Sequence, residues 1–336
     1  MVDLRRLADD VIEASVVLSF TDLGPTIRSS LFDWEDLDRI DMSGRVVAIT
    51  GASSGIGLAS AVRLARMGAG LRLLIRDEGK AARARETILR AAPGADVVTY
   101  TLDLSDLGAV HRVADQMAGS EERLDALVNN AGALLTERRV SVDGYEMTFA
   151  TMVLGPFVLT NGLAPLLERT AAQTGLARVV NVASGGMYLQ GLHLDDLQME
   201  REPYRGSIAY ARAKRALVTL TREWARRLRD RAITVNSMHP GWADTPGVVA
   251  SLPTFHRLIG PLLRTPEEGA DTIVWLVASD EPAGVSGRFW LDRRPRPVDR
   301  LRSTRVDDRD ARRLWRACER LTPGSTEASP SRSSNA

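Results

Sequence analysis

Gly51, Gly55 and Gly57 stand in the spacing G-x-x-x-G-x-G. That spacing suits the binding of a pyrophosphate, because a side chain there would hold the backbone away from the anion. A helix starting directly behind the glycines offers free N–H groups and the positive end of its dipole. A second pair, Tyr210 and Lys214, is four residues apart and falls one turn apart on a single helical face. A free phenol ionises near pH ~10, too high for efficient proton transfer at neutrality. A neighbouring ammonium favours the phenolate and brings that value down. Isolated glycines also mark ordinary strand-to-helix turns, and helices carry Tyr-x-x-x-Lys by chance. The elements around these residues decide between the two meanings.

Residues 45–50 form a β-branched run that reads as a buried strand. Behind the glycines, Ile56, Leu58, Val62, Leu64, Ala65 and Met67 follow helical spacing. Strand, glycine turn and helix make the first unit of a dinucleotide-binding fold. Further strands are expected at 71–76, 97–102, 125–128, 177–183, 233–238 and 287–291. Helices are expected at 78–92, ended by Pro93-Gly94, and at 142–169, 207–229 and 266–278. The helix at 207–229 carries Tyr210 and Lys214, and the strand before it ends at Ser184. The expectation is an α/β chain with a single doubly wound Rossmann-type domain. Its parallel sheet has about seven strands, in the order 3-2-1-4-5-6-7.

Strand 71–76 ends at Arg76, where such folds place the adenosine ribose. An acid there binds a free 2′-hydroxyl, whereas an arginine can hold a 2′-phosphate by charge and by a fork of donors. Asp77 follows at once, and a solvated strand-end arginine stays open as the alternative. Arg76 favours NADP(H) over NAD(H).

Thr50-Gly51, Gly55 and Gly57 together resemble the fingerprint of the short-chain dehydrogenase/reductase family. Ser184, Tyr210 and Lys214 are similar to that family's catalytic serine and its Tyr-x-x-x-Lys pair. Asn129-Asn130-Ala131-Gly132 and His239-Pro240-Gly241 fit as well. The resemblance runs over about residues 43–292. Segments around Ser184–Met187, Asp195–Gln198, Met238–Gly247 and Gly287–Arg293 place the chain nearer one branch than the family at large. The resemblance implies Tyr210 as acid/base, Lys214 as its partner and holder of the nicotinamide ribose, and Ser184 as a hydrogen-bonding partner of the substrate oxygen. It also implies cofactor contacts from Gly51, Ser53, Ser54, Gly55, Ile56, Gly57, Asp103, Leu104, Asn130, Ala131, Gly132, Pro240, Gly241 and Thr245. Ser105 or Asp106 would cap the helix that follows Asp103, and Asn129 would satisfy buried backbone groups. A homodimer or homotetramer is the implied assembly. Met152 departs from the pattern, standing three residues before Gly155 where the family has asparagine.

Composition bounds what remains. The 336 residues are 44% hydrophobic with a net charge of +1, so no global field points to nucleic acid or membrane. Cys318 has no cysteine partner in the chain, which fits a reducing compartment. No run approaches ~18 apolar residues, and Asp9, Asp10 and Glu13 interrupt any signal-peptide core. A cytoplasmic protein without a transmembrane segment is expected, and no metal site. Residues 1–40 read as a helical arm packed on the body or on a partner subunit, 41–292 as the dinucleotide-binding catalytic domain. Residues 293–321 read as a C-terminal extension whose arginine run is a solvated or subunit-contacting basic tail, and 322–336 as disordered.

The function expected is NADP(H)-dependent interconversion of an alcohol and a carbonyl on a small-molecule substrate. Apolar residues around Met187, Leu189 and Leu192, and from Val248 to Ile259, point to a bulky apolar substrate unless they pack on each other or on a partner subunit. The rival, motivated by Met152, is a nucleotide-binding scaffold with little turnover. An epimerase or dehydratase on a nucleotide sugar is disfavoured by the short segment after Gly241.

Overall fold

The computed structural model describes residues 4–245, 257 and 259–323. Its centre is an eight-stranded sheet in the order β3-β2-β1-β4-β5-β6-β7-β8. The strands are β1 (Val46–Thr50), β2 (Gly70–Ile75), β3 (Val97–Thr101), β4 (Ala126–Asn129), β5 (Ala177–Val182), β6 (Ile233–Met238), β7 (Phe289–Leu291) and β8 (Arg294–Arg296). The first seven pair in parallel, and β8 runs antiparallel to β7. Most central strand residues are buried, as expected of a parallel sheet covered on both faces.

Helices α4 (Gly55–Arg66), α5 (Glu78–Ala91) and α10 (Pro266–Ala278) close one face, where Leu64, Ile88 and Trp275 meet Val47, Leu71 and Val180. The other face carries α6 (Leu107–Ser120), α8 (Gly155–Thr174) and α9 (Gly206–Arg227). The last helix, α11 (Asp308–Leu321), lays Trp315 against Phe157 and Trp224, with ring centroids 4.8 and 5.8 Å apart. Cys318 lies in the same cluster, and burial pushes its thiol up to about 12.

Besides shifts of one or two residues at several element ends, two larger differences from the expected elements stand out. The stretch expected as one helix over 142–169 starts at Met147, with a short turn α7 (Met147–Phe149), a π-helical turn over Ala150–Leu154, and α8 to Thr174. By length and composition Met147–Thr174 could cross a membrane, contrary to the expectation that no run approaches that limit. Here it is a core helix, with 78% of its apolar window buried.

The second difference is β8. The arginine-rich run after Asp292, expected as a solvated or subunit-contacting basic tail, begins as an edge strand. Asp292 and Arg293 make the two-residue turn with φ of 52° and 54°, the left-handed backbone that tight hairpin turns need. Asn-Gly usually marks such a turn, and Pro295 fits only an edge, so no local pattern marked a strand here.

Charge holds the turn. The N-terminal arm, α1 (Leu4–Ala14), α2 (Val16–Phe20) and α3 (Leu23–Phe32), packs across it. Arg28 on α3 is fully buried and donates to Asp9 at 2.7 Å, Glu13 at 2.9 Å and Asp292 at 2.6 Å. Arg296 on β8 donates twice to Asp9 at 2.8 Å. Burial alone would raise the Asp9 carboxyl, but Arg296 and Arg28 hold it below the usual carboxylate range. Breaking one side of such a buried pair typically costs about 3–5 kcal/mol.

Candidate active site

A cleft of about 360 Å³ opens at the carboxyl ends of β1, β2, β4 and β5. This is where open α/β sheets bind their ligands. Gly51, Ser53, Ser54, Gly55, Ile56 and Gly57 line it from the turn after β1. Gly51 and Gly55 have φ of 69° and 53°, a backbone that strains other residues. A β-carbon on Gly57 would lie 2.4 Å from Asn130 Nδ2 and 2.6 Å from the Gly51 carbonyl oxygen. The glycines therefore let α4 start tight against the strand ends. Ser54 precedes α4 without a side-chain capping bond, so the first N–H groups of that helix face the cleft uncapped by Ser54.

Asn130 pins the turn by donating to the carbonyls of Thr50 at 3.0 Å and Gly51 at 3.3 Å. The Thr50 hydroxyl in turn accepts from the N–H groups of Asn130 and Ala131 at 2.9 and 3.0 Å. Asn129 behaves differently from the sequence reading. Its amide donates to Thr160 Oγ1 and Asn181 Oδ1 at 3.0 and 2.8 Å, so it serves buried side chains rather than backbone groups.

Arg76, Asp103 and Leu104 line the outer end of the cleft. Arg76 is exposed and lies 3.6 Å from Asp103. Asp103 accepts from the N–H and hydroxyl of Ser105 at 2.9 and 2.7 Å, while Asp106 caps α6 through the Ala109 N–H. Asp77 also has a task, accepting from the Lys80 N–H at 2.7 Å as the cap of α5. Lys80 brings a second cation to this rim, and Thr151 lines the cleft further in. Neither residue was expected at the cleft. Lys80 was recoverable as the third residue of the helix that Asp77 caps, whereas Thr151 reaches the cleft through the π-turn, which no local pattern marks.

At the inner end, Ala131, Gly132, Tyr210, Lys214, Pro240 and Thr245 line the cleft. Ser184 and Gly241 do not line it directly, but both adjoin it. Ser184 lies beside Tyr210, and its hydroxyl oxygen accepts from the Gly186 N–H at 3.3 Å. The Lys214 ammonium lies 5.6 Å from the centre of the Tyr210 ring and donates to the Val182 carbonyl at 2.8 Å. Burial pulls Lys214 down to about 8. It pushes the Tyr210 hydroxyl up, against the smaller opposing effect of the Ser184 hydrogen bond. The net shift is upward, opposite to the lowering expected from Lys214. His239 is buried and pulled down to about 3 by desolvation and then by Arg264. Its Nδ1 accepts from the Gly241 N–H at 3.1 Å.

Met152 sits in the π-turn with its side chain buried. A β-carbon on Gly132 would lie 3.0 Å from its sulfur and 3.3 Å from Lys214 Nζ. Met187, read as a possible substrate contact, is buried in the core, Leu192 is half-buried against it, and Leu189 is 71% exposed. Residues 248, 249, 252, 255 and 258 of that reading lie outside the described residues. Among the described residues no group of three or more His, Cys, Asp or Glu side chains is placed to hold a metal.

The cleft brings glycines together with the N–H groups at the start of α4, a pairing that suits a bound anion. Comparison with known proteins agrees. The family model described as short chain dehydrogenase matches residues 45–254. Dehydrogenase/reductase SDR family member 12 of Homo sapiens is 42% identical over 257 residues, covering 76% of this chain and 79% of the relative. Retinol dehydrogenase 14 of Homo sapiens is 37% identical over 296 residues, covering 82% and 85%. Among solved structures, the Pseudomonas aeruginosa RhlG/NADP active-site complex superposes with a TM-score of 0.61 at 27% identity, covering 74% of this chain and 94% of that one. The branch expected from the segments around Ser184 and Met238 is the one the first of these relatives represents.

Proposed function

We propose, from the premise that this chain belongs to the short chain dehydrogenase family and is an oxidoreductase acting on CH–OH groups, that it interconverts an alcohol and a carbonyl on an apolar substrate with NADP(H). One observation carries this: the Lys214 ammonium lies 5.6 Å from the centre of the Tyr210 ring and is bonded to the Val182 carbonyl, two residues before Ser184, at the inner end of a glycine-lined cleft.

When bound, the nicotinamide supplies or accepts the hydride. The chain's own residues manage the proton and the geometry. Ser184 holds the substrate oxygen, and Tyr210 gives or takes the proton at that oxygen. Lys214, fixed on the Val182 carbonyl, supplies positive charge beside the phenol and a donor for the nicotinamide ribose. Gly51, Ser53, Ser54, Gly55, Ile56 and Gly57 take the pyrophosphate, Asp103 and Leu104 the adenine, and Asn130, Ala131, Gly132, Pro240, Gly241 and Thr245 the nicotinamide side. Support for NADP(H) comes from two cations at the adenosine rim, Arg76 and Lys80, with Asp77 engaged in capping α5. The apolar substrate rests on the exposed Leu189 beside the Ser184 turn. A cytoplasmic homodimer or homotetramer completes the proposal.

A screen of alcohols and ketones, followed by NADPH absorbance, tests it. Tyr210→Phe keeps the ring and loses only the hydroxyl. It should lower turnover by about 10²–10⁴-fold while NADP(H) still binds. Turnover near the wild-type rate in that variant removes the assignment.

A further inference from the structure

The N-terminal arm reaches the catalytic end of the sheet. Phe20, the last residue of α2, is buried, and its ring sits against Gly185, the residue after Ser184. A β-carbon on Gly185 would lie 2.5 Å from Cε2 of that ring. The same ring meets His239 edge-on at 4.4 Å between centroids and Trp242 at 5.6 Å. Its backbone carbonyl accepts from the Trp242 N–H at 2.7 Å. One arm residue therefore touches both loops that flank the inner end of the cleft, the turn after β5 and the loop after β6.

Arg264 ties the second loop to the arm from the other side. Its backbone donates to the Trp242 carbonyl and accepts from the Asp244 N–H, both at 2.8 Å. Its side chain donates to the carbonyls of Ser19 at 2.6 Å, Thr21 at 3.0 Å and Pro240 at 3.3 Å. Asp292 holds the guanidinium through both oxygens, at 2.6 and 3.0 Å. The side chain covers Gly241 so closely that a β-carbon there would lie 2.2 Å from Nε. Gly241 also has a φ of 75°. Contacts to residues 19–21 thus hold the loop alongside the glycine its own sequence supplies.

We propose that the segment Ser19–Thr21 is a positioning element of the active site. Phe20 and Arg264 act as positioning residues that set the Ser184 hydroxyl and the Pro240–Gly241 loop against the inner end of the cleft. This rests on the alcohol–carbonyl reading of that site. Displacement of a reacting group by about 1 Å can cost ~10²-fold in rate. A ring removed from between two loops frees both, because the neighbouring glycine has no side chain to fill the gap.

An arm that merely stabilises the fold would behave otherwise, and a paired control separates the two. Ile12 is buried in the same arm, on α1. Phe20→Ala and Ile12→Ala both remove buried apolar volume. The measurements are kcat, KM for NADPH, melting temperature and amide hydrogen exchange over 184–187 and 239–242. Phe20→Ala should lower kcat by about 10- to 100-fold and speed exchange at those amides, with little change in KM for NADPH. Ile12→Ala should lower the melting temperature and leave both readouts near wild type. Equal effects of the two variants, or no effect of Phe20→Ala, overturn the proposal. Phe20→Leu keeps most of the volume and replaces Phe20→Ala if the latter does not fold; it should show the same ordering at smaller size, and the same results against Ile12→Ala overturn the proposal. Should the wild type turn over no substrate, the alcohol–carbonyl reading fails, while hydrogen exchange still decides whether Phe20 sets the two loops.

Discussion

The ammonium of Lys214 donates to the carbonyl of Val182 at 2.8 Å, two residues before Ser184 on the same strand end. One bond thus joins the helix that carries Tyr210 and Lys214 to the strand end that leads into Ser184. It fixes Lys214 in a buried place where its charge is costly.

That cost has a sign that can be measured. Burial pulls Lys214 down to about 8 from an ordinary value of 10.5. Below about 8 the lysine is charged in the folded and unfolded chain, and folding bears the full desolvation cost. Between the two values the unfolded chain still holds the proton that the folded chain has released. Stability from this group therefore rises with pH across that window. Tyr210 works in the opposite sense at higher pH, because its hydroxyl is pushed up from 10.0 and stays neutral when the unfolded phenol ionises. Lys214→Met should abolish turnover. Its stability advantage over the wild type, from urea unfolding at about pH 7 and about pH 9.5, should shrink with rising pH. An advantage that grows with pH contradicts the assignment.

Cofactor choice rests on Arg76 and Lys80. Arg76→Asp places a carboxylate where a 2′-phosphate would lie and offers an acceptor to free ribose hydroxyls. The dissociation constant for NADPH should rise by about tenfold or more, and that for NADH should stay the same or fall. Lys80→Ala should weaken NADPH by a smaller factor, and both effects should diminish in high salt. Titration of the two nucleotides into the wild type decides the matter, and tighter binding of NADH would falsify the NADP(H) proposal.

Met152 separates an enzyme from a scaffold. The resemblance implies an asparagine there whose backbone carbonyl holds a water for a proton relay and whose side chain steadies a helix distortion. A distortion is present without that side chain, as a π-turn over Ala150–Leu154 in which the Gly155 N–H donates to the Ala150 carbonyl. Gly155 is forced to be glycine, since a β-carbon there would lie 2.4 Å from the Leu104 carbonyl oxygen. Pro156 lacks the N–H that an α-helix would direct at Met152. Met152→Asn should therefore change kcat by less than about tenfold and leave nucleotide affinity nearly unchanged. An inactive wild type beside a strongly active Met152→Asn protein would establish the scaffold alternative.

The strands through β7, the glycine turn and the Tyr210–Lys214 pair were legible because each depends on local pattern, whereas the sheet order followed from the fold type and most other cleft residues from the family resemblance. A buried parallel strand is a short apolar run, a phosphate turn needs glycine at fixed spacing, and Tyr210 and Lys214 meet because a helix turns every 3.6 residues. The chain order of strand, turn and helix then brings Gly51, Ser184 and Tyr210 to one end of the sheet. What the tertiary structure alone decided lies in contacts between distant residues. Asp9 and Glu13 read as acids breaking an apolar stretch, and Arg296 as part of a solvated run. Folding pairs Asp9 with Arg296, 287 residues away, and buries both. Only the folded chain puts Phe20 between Gly185 and His239, or shows that Asp292-Arg293 can turn a hairpin when Arg28, Arg264 and Asp271 hold their charges. Local pattern encodes backbone conformation and which face is apolar. Burial of a charge depends on where its counter-charge arrives, and that is a property of the whole fold.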